Sequence, residues 1–321
     1  MLEIKNPIYK DCNDILNMVS NGSLSPLDAL SLLKEMEIKK NELKRNKEEK
    51  VKEVLNELDS LVGLTAVKQL VKELHAFVEI QKRRKKEDLI AEPLVLHMIF
   101  KGSPGTGKTT VARLIGKMFK EMEILQKGHL VEVERADLVG EYIGHTAQKT
   151  REQIKKAIGG ILFIDEAYSL ARGGEKDFGK EAIDTLVKAM EDYKDNLIVI
   201  LAGYKDEMDW FLRTNPGLRS RFPIQIEFPD YTLEELIQIA ILMAEKRQYK
   251  FTPEAIEKLK YILLDSKKSI YFDKLGNARL VRNLLEKAIR KQALRLINQK
   301  KISKEDLILI KPEDILPLED Y

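Results

Sequence analysis

A chain of 321 residues is long enough for two domains and a sizeable core, and 44% hydrophobic with 33% charged residues is the composition of a globular protein rich in surface charge. Its 55 Lys and Arg nearly balance 52 Asp and Glu, leaving +3, which argues against a chain built to coat nucleic acid. The one cysteine, Cys12, builds neither an internal disulfide nor a cysteine-based zinc site; the four histidines lack ligand spacing, and no apolar run approaches the roughly 18 residues of a membrane span. The first residues, MLEIKNPIYKD, carry charges where a signal peptide needs an apolar core, so a reducing cytoplasm is the expected compartment.

Residues 1 to about 22 show no clear pattern. SLSPLDALSLLKEM reads as a helix start: Ser25 can cap, Pro26 takes the first helical position, and Asp28 reaches back to the cap. The following run, KKNELKRNKEEKVKEVLNELDSL, is a long solvated helix or a linker. Strong helix formers and the absence of Pro and Gly favour the helix. Gly63 breaks the run. TAVKQLVKELHAFVEIQKRRK then has helical apolar spacing, and its basic tail suits a helix end better than a nucleic-acid patch, because no aromatics interleave the charges.

From residue 94 short apolar runs alternate with amphipathic segments. LVLHMIF, LVEVE, GGILFI, NLIVILA and PIQIEF predict five strands, with helices near 108–121, 146–158, 179–192 and 205–213 between them. That alternation predicts an α/β fold whose parallel sheet is flanked by helices. After Pro229 the periodicity is helical over 232–248, 253–265 and 278–298, predicting a small all-α domain. The expected division is a helical N-terminal extension over 1–58, an α/β nucleotide-binding domain over 59–229 and a helical lid over 230–321.

GSPGTGKTT, residues 102–110, fits G-x-x-x-x-G-K-[ST] between a predicted strand and a predicted helix. Gly102, Gly105 and Gly107, with Ser103, Pro104 and Thr106, form a turn whose N–H groups can face phosphate oxygens. Lys108 would reach the β and γ phosphates of ATP, Thr109 would offer its hydroxyl to Mg2+, and Thr110 continues the helix whose N-terminus faces the anion. GGILFIDEA places Asp165 and Glu166 at the carboxyl end of a continuous apolar strand, where open α/β sheets bind ligands. Asp165 would hold the metal and Glu166 would polarise the attacking water.

These two stretches, the Walker A and Walker B motifs of a P-loop NTPase, resemble an AAA+ ATPase. The longer stretch from HLVEVERADLVGEYIGHTAQKT to IDTLVKAMED resembles the branch that contains stage V sporulation protein K and the red-type rubisco activases, the sporulation protein most of all. The resemblance spans about residues 55–300. It implies ATP hydrolysis in a ring, a hexamer, with each site completed by a neighbour's arginine. NPGLRSRFPIQIEF offers Arg219 and Arg221 for that role, and the family position is Arg221. LGNARLVRN resembles the family's G-A-R pattern with Asn277 inserted, which makes Arg279 the second sensor and leaves Arg282 one turn along. Tyr204 falls where many members place an asparagine or threonine as first sensor. The family also implies adenine contacts near Val62, Gly63 and Leu64.

ADLVGEYIGHTAQKT sets Glu141, Tyr142 and Ile143 between Gly140 and Gly144, an aromatic on a loop that glycines make mobile. By resemblance this is a pore loop in which Tyr142 and Ile143 grip a protein client by apolar contact. A second loop, LARGGEKDFGKEA, is either another pore or subunit contact or a polar connection. The expected function is an ATP-hydrolysing protein-remodelling motor, with spore formation as the setting and the client unnamed. A nucleotide-gated assembly scaffold with little turnover is the alternative from another class, and a nucleic-acid motor comes third because the charge is near neutral.

Overall fold

The computed structural model describes residues 12–92, 95–142, 144–172, 178–267, 276–297, 299 and 301–317. It divides into two compact units, Met1–Glu53 and Val54–Tyr321. The first contains α1 (Cys12–Ser20) and most of α2 (Pro26–Asp59). Ser25 starts α2 as its sequence requires: its hydroxyl accepts from Asp28 N–H (3.2 Å) and donates to Asp28 Oδ2 (2.6 Å). The charged run is helical throughout. α1 occupies a stretch without a legible pattern, because nine residues that bury only Ile15 leave no periodicity to read.

In the second unit α3 (Thr65–Lys86) precedes β1 (Met98–Gly102), α4 (Lys108–Glu121), β2 (Leu130–Val133), α5 (Arg135–Leu138), α6 (His145–Ala157) and β3 (Ile161–Ile164). α7 (Gly179–Asp192), β4 (Ile198–Gly203), α8 (Lys205–Thr214), α9 (Pro216–Arg219) and β5 (Ile224–Phe228) follow. The five strands form one parallel sheet in the order β2-β3-β4-β1-β5. β3 and β4 are buried along their whole length, which accounts for their unbroken apolar sequence. Phe100, Phe119, Phe163, Phe211 and Phe222 fill the core between sheet and helices.

β1 begins four residues later than the apolar run LVLHMIF does. His97 explains part of the difference: its Nδ1 accepts the Val199 N–H at 3.0 Å, so a side chain takes a ladder donor beside the start of the strand. Because the sheet is parallel, Gly102, Ile164, Gly203 and Phe228 all end along one carboxyl edge. Met98 and Ile224, register partners, mark the amino edge.

The lid contains α10 (Leu233–Glu245), α11 (Pro253–Lys267) and α12 (Asn277–Ile297). α12 buries Leu280, Val281, Leu284, Leu285 and Ala288, a stripe at helical spacing. A short α13 (Lys304–Ile308) follows, and β6 (Lys250–Phe251) pairs in parallel with β7 (Leu309–Ile310). This two-residue pair was not expected from sequence; segments so short carry no alternation.

Candidate active site

β1 delivers the chain to Gly102, and α4 takes it away at Lys108, with Gly107 as N-cap at φ 98°. Gly107 has no side chain to cap α4, so the N–H groups of the first turn are presented to whatever anion the loop holds. Gly105 (φ 74°) has no room for a side chain: an added Cβ would lie 2.8 Å from Arg279 N and 2.8 Å from Gly276 O. Thr106 is fully buried and its hydroxyl donates to Ser103 O (2.8 Å), fastening the turn. Lys108 Nζ donates to Gly102 O (2.8 Å) and Ser103 O (2.9 Å), folded over its own loop. Burial lowers its pKa. Asp165 opposes that shift, Arg279 adds to it, and Asp230 and Glu166 oppose it.

The charges that act on Lys108 are thus the acid pair after β3, Asp230 after β5 and the arginine from the lid. The structure brings Lys108, Asp165, Glu166, Asp230 and Arg279 into one electrostatic cluster, although they come from four places in the chain. Asp165 N–H donates to Val133 O (3.0 Å), which fixes the end of β3 against β2. Its carboxylate accepts from Glu166 N–H (3.0 Å). Glu166 is exposed and left-handed at φ 47°, an uncommon conformation for a residue with a side chain. The donor set fits Mg2+ with a nucleotide: a hydroxyl at Thr109 and a carboxylate at Asp165 are hard oxygen ligands beside a cationic phosphate cradle.

Tyr204 follows β4 directly and packs on Tyr168, with ring centroids 6.3 Å apart. Tyr168 is buried, the Arg172 guanidinium stacks 4.6 Å over its ring, and burial together with Glu166 pushes its pKa up to about 12. On the other flank the Gly63 turn lies beside the start of the lid, where an added Cβ would strike the Glu235 carboxylate and touch the Tyr231 ring. Leu64 reaches toward Gly107.

Arg221 is elsewhere. It stands three residues before β5, at the amino edge of the sheet, whereas the phosphate loop lies at the carboxyl edge. Its Nη2 pairs with Glu191 Oε1 at 2.6 Å and its Nη1 donates to Gly217 O at 2.9 Å. Arg219 is exposed on α9. Tyr142 is also apart from the cluster, 66% exposed, with its ring edge-on to His145 at 5.5 Å. Ile143 and residues 173–177 of the second loop lie outside the described residues. Four residues escaped sequence reasoning: Tyr231, whose hydroxyl donates to Thr106 O (3.1 Å), Asp230, whose charge acts on Lys108, Glu191, and Asn277 as a contact of the loop. Only Asn277 left a signal, as the extra residue in the G-A-R pattern.

Residues 98–230 match the model of the ATPase family associated with various cellular activities (AAA), and 232–321 match the AAA lid domain. Stage V sporulation protein K of Bacillus subtilis is 53% identical over 96% of this chain and 95% of its own length. This chain is an AAA ATPase. It belongs to the AAA branch that also holds the chloroplastic ribulose bisphosphate carboxylase/oxygenase activase of Cyanidioschyzon merolae, 48% identical over 84% of this chain and 92% of that protein. The fold is shared with the AAA domain of FIGL-1, at a TM-score of 0.54 and 17% identity over 82% of this chain and 84% of that one. As a member of the family the chain binds and hydrolyses ATP. Among the described residues no helix is long and apolar enough to cross a membrane.

Proposed function

We propose that this AAA ATPase is a protein-remodelling motor that works as a ring, a hexamer, and couples hydrolysis to movement of the Tyr142 loop on a protein client. The observation that carries the remodelling role is Tyr142, a large aromatic two-thirds exposed. Its loop is anchored at both ends: Gly140 N–H donates to the buried Thr146 hydroxyl (2.9 Å), and Gly144 opens α6. An exposed ring on such a loop can grip unrelated side chains without reading sequence. On this reading residues 1–58 are an extension that chooses the partner, 59–229 the motor domain and 230–321 its lid. The name of the sporulation relative supports spore formation as the setting.

Within the site, Lys108 and the N–H groups of residues 102–110 bind the phosphates, and the Gly63 turn flanks the base. Thr109 and Asp165 would hold Mg2+, which screens phosphate charge when bound. Glu166 accepts a hydrogen bond from the attacking water and orients it. Arg279 reaches the phosphates from the lid, and Arg221 reaches those of the next subunit.

Two substitutions separate the parts of this proposal. Glu166→Gln should lower ATP turnover by about 10²–10⁴-fold with ATP binding intact, the usual weight of general acid–base catalysis. The ATP-loaded variant should retain its client, which crosslinking then identifies. Tyr142→Ala should bind ATP normally and fail to remodel that client. Remodelling at the parental rate would remove the pore role.

A further inference from the structure

Three successive carbonyl oxygens of the phosphate loop are each held by a donor from the lid or its hinge. Asn277 Nδ2 donates to Pro104 O (3.3 Å), Ala278 N–H to Gly105 O (3.1 Å), and the Tyr231 hydroxyl to Thr106 O (3.1 Å). In a planar trans peptide the C=O of one residue and the N–H of the next point in opposite directions. Holding the carbonyls of 104, 105 and 106 therefore fixes the N–H groups of Gly105, Thr106 and Gly107 on the other side of the loop. Those are donors that a phosphate would meet.

Asn277 is the centre of this contact. It is 1% exposed, and both ends of its carboxamide are bonded: besides Pro104 O it donates to Asp230 Oδ1 (2.8 Å), and its oxygen accepts from Tyr231 N–H (2.9 Å). Its backbone is left-handed at φ 59°, a conformation asparagine tolerates better than most residues with a side chain. Arg279 follows two residues later in the same first turn of α12, so near Gly105 that a Cβ added there would lie 2.8 Å from its N and 3.2 Å from its Cβ.

We propose that Asn277 is a positioning residue for hydrolysis: it clamps the first turn of the lid helix to the phosphate loop, so that Arg279 and the loop's N–H groups face the same phosphates. The inference rests on the reading of Arg279 as the lid's phosphate contact. Asn277 itself touches no reacting atom. Its contribution passes through Arg279, so the two residues act as one unit.

Steady-state ATPase kinetics on the full chain test this with Asn277→Gly, Arg279→Ala and the double variant. Glycine keeps the left-handed backbone and removes every side-chain bond. Asn277→Gly should lower kcat about tenfold while KM for ATP changes less than about threefold, and in the Arg279→Ala background it should cost less than about twofold more. A purely structural role predicts multiplied effects instead. Asn277→Asp combined with Asp230→Asn is the second test: it restores the hinge bond between 277 and 230 but offers Pro104 O no donor, so turnover should stay low. Recovery of parental turnover there overturns the clamp. So does an unimpaired Asn277→Gly, or multiplied losses, in a protein that Arg279→Ala does impair. If Arg279→Ala leaves turnover unchanged, the reading of Arg279 falls first and the clamp with it.

Discussion

His97, buried just before β1, and Lys108, half-buried at the start of α4, are both bases withdrawn from water, and the fold uses them in opposite ways. Lys108 is pulled toward neutrality by burial while Asp165 draws it back, a balance that a bound phosphate would tip toward the cation. Among the described residues no acid draws His97 back. Burial, partly opposed by a backbone hydrogen bond at Met190, lowers its pKa from 6.5 to about 4, and its Nδ1 must stay unprotonated to accept from Val199 N–H. Between those values the unfolded chain binds more protons than the folded one. The stability that neutral His97 contributes is therefore complete above pH 6.5 and is lost as pH falls toward 4, by on the order of 3 kcal/mol in all. Urea unfolding midpoints should fall from pH 7 to pH 5. His97→Asn, which keeps an acceptor and has no proton to gain, should flatten that fall, and an unchanged slope would place the acid sensitivity elsewhere.

At the scale of elements, the lid depends on one ion pair at its far end. Arg295 of α12 donates from Nε (2.9 Å) and Nη2 (2.8 Å) to the two oxygens of Asp314, which is 1% exposed. Asp314 also accepts from Lys311 N–H (2.8 Å), and the nearby Gln292 binds the carbonyls of Asp306, Leu307 and Leu309. Together these tie the C-terminal segment to α12. Removing the carboxylate leaves a mostly buried guanidinium with the exposed Glu313 at 3.2 Å and the Leu309 carbonyl at 3.4 Å as partners. Asp314→Ala should therefore destabilise by about 3 kcal/mol, at the lower end for breaking a buried pair, measurable by denaturant unfolding. A loss under about 1 kcal/mol would mean that Glu313 and water replace the pair. This pair was invisible in the sequence, because nothing in a run of charges says which two will meet in the fold. The helices were legible for the converse reason: the stripe Leu280, Val281, Leu284, Leu285, Ala288 repeats at 3.6 residues whatever it packs on. The phosphate loop and Asp165–Glu166 were legible because their chemistry demands fixed residue types at short spacing. Tyr231 was not, since its use depends on a hydroxyl meeting the carbonyl of Thr106, 125 residues away in sequence. The start of β1 was misjudged because strand ends are set by partners, here Ile224 and the His97 ring, and not by local hydrophobicity.

At the scale of the whole molecule, the topology keeps Arg221 from its own phosphates. Gly102 pairs in register with Phe228 and Met98 with Ile224, so the length of β5 alone, about 13 Å at 3.3 Å per residue, separates the two levels. Arg221 lies beyond the amino edge and is paired there with Glu191. If it acts on a transferred phosphoryl group, that group belongs to another copy, in a head-to-tail contact. Complementation tests this. Lys108→Ala removes the loop's cation but leaves a sound Arg221, and Arg221→Ala does the reverse, so each protein alone should be nearly inactive. In a 1:1 mixture that exchanges subunits at random, about a quarter of head-to-tail contacts join an intact loop to an intact arginine, and turnover should return to about that fraction of the parental rate. An arginine acting within its own chain predicts no recovery, because every chain in the mixture still carries one defect. Activity that is full in Arg221→Ala alone would show that the seam contributes nothing to hydrolysis.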